Sequence, residues 1–107
     1  MMSIKIAAVC DNELSGKMLK ECGEKMNFVV NYEVQNGSAI INKLSDNIIK
    51  TSNIVLFVTE KEIEQIEEIE RFIDREYYEV LPQFVIENPA NVLLEITMDL
   101  NYKKERL

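Results

Sequence analysis

The sequence contains no histidine and no tryptophan, and it has only two cysteines, three glycines and two prolines. The absence of histidine excludes Ser/His and Cys/His catalytic dyads, histidine-ligated metals and a phosphohistidine carrier. The two cysteines, Cys10 and Cys22, have no other soft ligand at zinc spacing, so we expect free thiols, no zinc site and no cofactor. Any chemistry must therefore use sulfur, carboxylate or backbone groups.

The sequence also lacks an excess of basic residues, since 19 acidic residues against 12 basic ones give a formal charge of −7. Nucleic-acid binding depends on attraction to phosphates, so DNA and RNA are excluded as expected partners. Apolar runs such as Ile54 to Val58 are too short to cross a bilayer, and the N-terminus lacks the features of a signal peptide. We therefore expect a cytoplasmic protein that does not span the membrane, with one folded domain over residues 1–107.

Strand-like and helix-like hydrophobic patterns alternate along the chain. The predicted strands lie at 4–10, 27–35, 54–58 and 77–80. The predicted helices lie at 14–26, at 40–49 as a short or broken segment, at 61–74, and from Asn88-Pro89 onward. This order predicts an α/β fold, a single three-layer α/β/α sandwich with a four-stranded parallel sheet.

Cys10 ends the first predicted strand, and the first predicted helix begins a few residues later. Open α/β sheets bind ligands at the carboxyl ends of their strands, and a helix N-terminus favours a thiolate and binds phosphoryl groups. We therefore expect the Cys10 sulfur to emerge at this edge of the sheet as a nucleophile. The alternative is structural, because free cysteine is among the most often buried residue types.

Charged residues follow the same predicted strand ends. Asp11, Glu13 and Glu60 are a candidate magnesium site, although helix capping by Asp11 and two solvated glutamates is the simpler interpretation. Lys17 is a candidate phosphate clamp or an ordinary exposed lysine. The acidic face of the predicted helix at 61–74 is either a docking surface for a basic partner or a feature that favours solubility.

Three stretches of the sequence carry a more specific pattern. They are Val34-Gln35 followed by Ile40, Asn42, Leu44, Ile49 and Asn53-Ile54-Val55-Leu56; Glu70-Arg71-Phe72; and Tyr77-Tyr78-Glu79-Val80 followed by Asn88-Pro89. Together they resemble the fructose-type enzyme IIB domains of the bacterial phosphoenolpyruvate-dependent sugar phosphotransferase system. The similarity spans nearly the whole chain.

The resemblance implies a role as a phosphoryl carrier. Cys10 would be the nucleophile that accepts a phosphoryl group from the phosphohistidine of a IIA domain and passes it to a sugar bound by a membrane IIC component. The phosphoryl group would be held by the residues that follow, which are Asp11, Asn12, Glu13, Leu14, Ser15, Gly16 and Lys17.

The loop after Cys10 departs from the family pattern. The family shows Cys-Pro-Thr-Gly-x-Ala-His-Thr, whereas this chain has Cys-Asp-Asn-Glu-Leu-Ser-Gly-Lys from Cys10 onward. A dianionic phosphocysteine would be repelled by the carboxylates of Asp11 and Glu13. The competing hypothesis is therefore a catalytically inactive IIB-like module that binds a partner or regulator of a phosphotransferase system.

Overall fold

The chain forms a single mixed sheet with helices on both faces. A computed structural model describes residues 4–36, 39–60, 72 and 76–106. The strands in this part of the chain are β1 (Ile4–Cys10), β2 (Phe28–Asn36), β3 (Ala39–Ile41), β4 (Ile54–Val58) and β5 (Tyr77–Val80). The helices are α1 (Glu13–Lys25), α2 (Asp46–Thr51), α3 (Pro82–Glu87) and α4 (Pro89–Arg106).

β1 is the central strand of the sheet, whose order is β3-β2-β1-β4-β5. It pairs in parallel with both β2 and β4. Its side chains alternate between two buried clusters, with Ile6, Ala8 and Cys10 in one and Ala7 and Val9 in the other. This alternation explains why the strand reads as a continuous apolar run rather than a polar and apolar repeat.

Helices cover both faces of the sheet. Leu19 of α1, Val85 of α3 and Leu93 of α4 belong to the same cluster as Cys10. Ile49 of α2 and the buried Phe72 belong to the cluster on the opposite face. The predicted three-layer arrangement is therefore confirmed.

The prediction of a four-stranded sheet is wrong, because the described residues form five strands. β3 pairs antiparallel to β2, and Asn36 is the partner of Ala39, so two residues separate the paired strands. The sequence analysis assigned Ile40 and Ile41 to a helix, but β-branched residues after an Asn-Gly signal are typical of a hairpin. The four predicted strands are present and parallel to one another.

The helices agree with the sequence analysis at the ends of the chain and differ in the middle. α1 and α4 occur where they were predicted, and the Asn88 side chain accepts a hydrogen bond of 3.2 Å from the Asn91 N–H at the start of α4. The predicted segment at 40–49 is a helix only from Asp46, and α3 was not predicted. The predicted helix at 61–74 lies outside the described residues except for Phe72.

None of the described helices combines the length and apolar character that a membrane crossing requires.

Gly16 allows α1 to pack closely against the sheet. A Cβ atom at this position would lie 2.3 Å from Cδ2 and 2.7 Å from Cε2 of the Tyr32 ring on β2. Gly23, two turns later on α1, has a similar approach of 2.6 Å to Cγ2 of Val30. Both glycines therefore have a packing role that does not depend on any ligand.

We expect Gly16→Ala to lower the free energy of unfolding by about 1–2 kcal/mol. An approach as short as 2.3 Å puts the cost of overpacking against the Tyr32 ring in the upper part of the usual range, at about 2–3 kcal/mol, and the gain in helix propensity of roughly 1 kcal/mol offsets only part of it. Urea denaturation followed by circular dichroism measures the change. The matched control is Lys20→Ala at an exposed position of the same helix. A Gly16→Ala variant at least as stable as the original protein would contradict the packing role.

Candidate functional site

Cys10 lies at the carboxyl end of β1, and its side chain is fully buried. It faces the same side of the sheet as Ile6 and Ala8 and packs in their cluster. The expectation that its sulfur emerges at the sheet edge is therefore wrong for this structure. The strand alternation that buries Ile6 and Ala8 also buries the thiol.

The surroundings of Cys10 favour the neutral thiol. The pKa of the Cys10 thiol is raised to about 12, mainly by burial. A hydrogen bond with Ser15 lowers this pKa, and the nearby carboxylates of Asp11 and Glu33 contribute smaller increases. Relative to a thiol with the ordinary pKa of 9.0, the thiolate fraction at neutral pH falls roughly 1,000-fold. Because the thiolate is the nucleophilic form, Cys10 in this environment is a poor nucleophile.

Asn12 is the N-cap of α1. Its side-chain oxygen accepts hydrogen bonds from the Ser15 backbone N–H at 2.9 Å and from the Ser15 hydroxyl at 3.0 Å. The Ser15 hydroxyl also lies 3.2 Å from the backbone oxygen of Asn12. The donors that Ser15 would offer to a phosphoryl group are therefore directed at the protein's own cap.

Asp11 connects the ends of two neighbouring strands. Its backbone N–H donates to the Val58 carbonyl at 3.1 Å, and its Oδ2 accepts from the Glu60 backbone N–H at 2.9 Å. Its Oδ1 accepts from the Asn12 side-chain amide at 3.0 Å. Asp11 thus fixes the loop after β1 to the residues after β4 and places a carboxylate beside the buried thiol.

The remaining candidate phosphoryl-binding residues point in different directions. Ser15 and Gly16 are buried, whereas Glu13 and Lys17 are exposed on α1. Leu14 is 54% exposed at the first turn of α1. The structure therefore brings Cys10, Asp11, Asn12 and Ser15 into one hydrogen-bonded group and leaves an apolar side chain on the surface next to it.

Glu33 is a buried charged residue that the sequence analysis did not select. It is fully buried on β2, and its two carboxylate oxygens accept hydrogen bonds from the Gln35 side-chain amide at 2.7 Å and the Leu44 backbone N–H at 3.0 Å. The one sequence signal is an acid between Tyr32 and Val34 in an otherwise strand-like stretch. Glu33 fixes the segment after β3 onto β2 and adds negative charge near Cys10.

The candidate magnesium site does not form a cluster in this part of the chain. Asp11 and Glu60 are close through the backbone N–H of Glu60, but no group of three or more potential metal ligands occurs among the described residues. The oxygens of Asp11 accept hydrogen bonds from protein donors instead.

Comparison with known proteins shows that this chain shares its fold with several solved structures. No protein-family model and no curated protein sequence matches the chain. Among solved structures, the enzyme IIB subunit of the PTS system from Escherichia coli K12 matches with a TM-score of 0.79 and 25% identity, over 97% of this chain and 99% of that one. A domain of the fructose-specific IIABC component of the PTS system from Borrelia burgdorferi matches with a TM-score of 0.74 and 24% identity, over 87% and 92% of the two chains.

A domain of FruA from Bacillus subtilis is a further similar structure, with a TM-score of 0.68 and 22% identity over 92% of this chain and 95% of that one. The resemblance to fructose-type IIB domains that the sequence analysis identified is therefore confirmed as a shared fold. In each comparison the similarity extends over most of both chains.

The burial of Cys10 predicts an unusual pH dependence of thiol modification. In the Cys22→Ser variant, the rate of alkylation by iodoacetamide should rise about tenfold per pH unit from pH 8 to pH 11, because the thiolate fraction keeps rising below a pKa of about 12. The same variant in guanidinium chloride is the control, and its rate should level off above the ordinary thiol pKa of 9.0. A native profile that levels off near pH 9 would show that the sulfur is solvated.

Proposed function

We propose that this chain is a IIB-like module that binds a IIA domain of a bacterial sugar phosphotransferase system and does not carry a phosphoryl group on Cys10. The observation that carries the proposal is the complete burial of the Cys10 side chain at the position where a IIB-type carrier needs an accessible thiolate. The proposal includes one IIB-like domain over residues 1–107 and a cytoplasmic location.

Charge at the site also opposes a phosphocysteine. A phosphoryl group on Cys10 would lie near the carboxylates of Asp11 and Glu33, both of which already raise the pKa of the thiol. At an effective dielectric constant of about 20, two like unit charges 4 Å apart repel by about 4 kcal/mol. The basic residue of the Cys10 to Lys17 segment is Lys17, and its side chain is exposed on α1.

The surface beside the thiol is suited to protein contact. Leu14 is 54% exposed after β1, and Leu81 is 42% exposed directly after β5. The parallel strands β1, β4 and β5 end at the same edge of the sheet, and β1 and β5 are two strand spacings, about 10 Å, apart. We call Leu14, Leu81 and the acidic residues Asp11, Glu13 and Glu60 the carboxyl-edge face. An apolar centre with a charged rim is typical of a docking surface.

The second candidate is the phosphoryl-carrier role itself. It is favoured by the position of Cys10, which is the last residue of β1 and lies three residues before Glu13, the first residue of α1. In that reaction, the Cys10 thiolate attacks the phosphorus of the IIA phosphohistidine, an S–P bond forms, the N–P bond breaks, and the imidazole takes up a proton. The oxygen of a sugar hydroxyl bound by IIC then attacks the phosphorus, an O–P bond forms as the S–P bond breaks, the Cys10 thiolate leaves, and the hydroxyl proton passes to solvent. Both steps require the sulfur, which is fully buried in this structure, to become accessible.

Phosphotransfer from labelled phosphoenolpyruvate distinguishes the two candidates. In a mixture with enzyme I, the general phosphocarrier protein and a fructose-type IIA domain, we expect no label on this chain, because its thiol is buried and neutral. A fructose-type IIB domain with the Cys-Pro-Thr-Gly loop is the positive control in the same mixture. An iodine-sensitive label that is lost in Cys10→Ser and kept in Cys22→Ser would establish the carrier role and reject the proposal.

Leu14→Glu should weaken binding to a fructose-type IIA domain by about tenfold, because it places a charge at the centre of the carboxyl-edge face. Cys10→Ala should leave the affinity within about twofold. Isothermal titration calorimetry measures both changes. Leu94→Glu is the matched control, since Leu94 is 51% exposed on α4. Equal affinities for Leu14→Glu and the original protein would exclude this face as the docking surface.

A further inference from the structure

A second surface feature lies away from the Cys10 loop. A cleft of about 590 Å³ is formed by β5, α3 and α4, together with Leu56 of β4. Its apolar lining includes Val80, Val92 and Ile96, and Phe84 is 48% exposed at this surface. The cleft has the volume of a ligand-binding or peptide-binding site. The exposed phenylalanine provides apolar surface whose contact with water is unfavourable and which a partner could bury.

The charged side chains among the described lining residues of this cleft are all acidic. Glu79, Glu87, Glu95 and Asp99 line it, and no lysine or arginine is among its described lining residues. Tyr78 donates its hydroxyl hydrogen to the Asp99 carboxylate. Glu95 accepts a hydrogen bond of 3.3 Å from the Asn91 side chain. The cleft therefore combines an apolar centre with four carboxylate side chains.

We propose that this cleft docks a basic amphipathic segment of a partner protein, with apolar side chains against Phe84 and Val80 and with lysine or arginine side chains against Glu87 and Glu95. Charge complementarity selects this occupant. A second copy of this chain, with its formal charge of −7, would meet like charge, and an anionic ligand would be repelled for the same reason. A helix with basic residues on the flanks of its apolar face would contact the apolar lining residues with that face and the carboxylates with its basic side chains.

The test uses the intact protein, labelled with nitrogen-15, and a short amphipathic peptide of leucine and lysine. We expect saturable chemical-shift changes in residues of β5, α3 and the first half of α4. The double variant Glu87→Lys with Glu95→Lys should weaken binding by about tenfold, and Phe84→Ala should weaken it by a similar factor. A peptide with glutamate in place of lysine should not bind.

The matched control is Glu21→Lys with Glu24→Lys on the exposed face of α1, which changes the net charge by the same amount away from the cleft. This control should keep the affinity within about twofold. Equal weakening of peptide binding by both double variants would show that net charge alone explains the effect, and it would overturn the proposal. Shift changes centred on Leu14 and Leu81, or no binding of the lysine peptide, would also overturn it. Because none of these substitutions alters the carboxyl-edge face, the outcome is separate from that of the IIA experiment.

Discussion

The alternation of side chains along β1 is the constraint on which the rest of the site depends. β1 is the central strand and is buried on both faces, so each of its residues from Ile6 to Cys10 must contribute to one core or the other. Cys10 shares the face of Ile6 and Ala8, and its sulfur therefore lies among apolar side chains rather than at the edge. A one-residue change of register would move the entire strand pattern to the wrong faces, so the position of the thiol is fixed by the same packing that stabilises the sheet.

The loop after β1 stabilises this arrangement instead of opening it. Asp11 joins the ends of β1 and β4 through two hydrogen bonds, and Asn12 caps α1 by accepting from Ser15. The Ser15 backbone N–H is the kind of donor that a phosphoryl site at a helix N-terminus would direct at its ligand. Here the carboxylate of Asp11 supplies negative charge at that place. The N–H groups of Ser15 and Glu60 are therefore already paired within the protein, and a phosphoryl dianion that used these donors would have to break their hydrogen bonds.

The sequence allowed the central part of the fold to be predicted, because β4 and β5 were found at the predicted positions and α1 within one residue of them. It did not separate β3 from a helix, since Ile40 and Ile41 fit both patterns over so short a stretch. α3 is only six residues long, and a segment of that length has too few turns to show a period.

At the site, the position of Cys10 was predicted correctly but its burial was not. The burial of Cys10 could have been predicted from the alternation of Ile6, Ala8 and Cys10 along the strand. The hydrogen bond from the Leu44 backbone N–H to Glu33 depends on the β2–β3 hairpin and could not be predicted from local sequence.

The sequence similarity to IIB domains lies in residues that determine the fold and not in the loop that would carry the chemistry. The stretches that carried the resemblance include core residues such as Leu44, Ile49 and Val55, which pack the sheet and its helices and would be required in a carrier and in a docking module alike. The residues that decide between these functions are few and lie in the loop from Asp11 to Lys17. None of the residues from Asp11 to Lys17 belongs to either core cluster, so the charge of this loop is set independently of the packing of the sheet. A protein can therefore share the fold of the IIB domains while the thiol at the end of β1 is packed in its core.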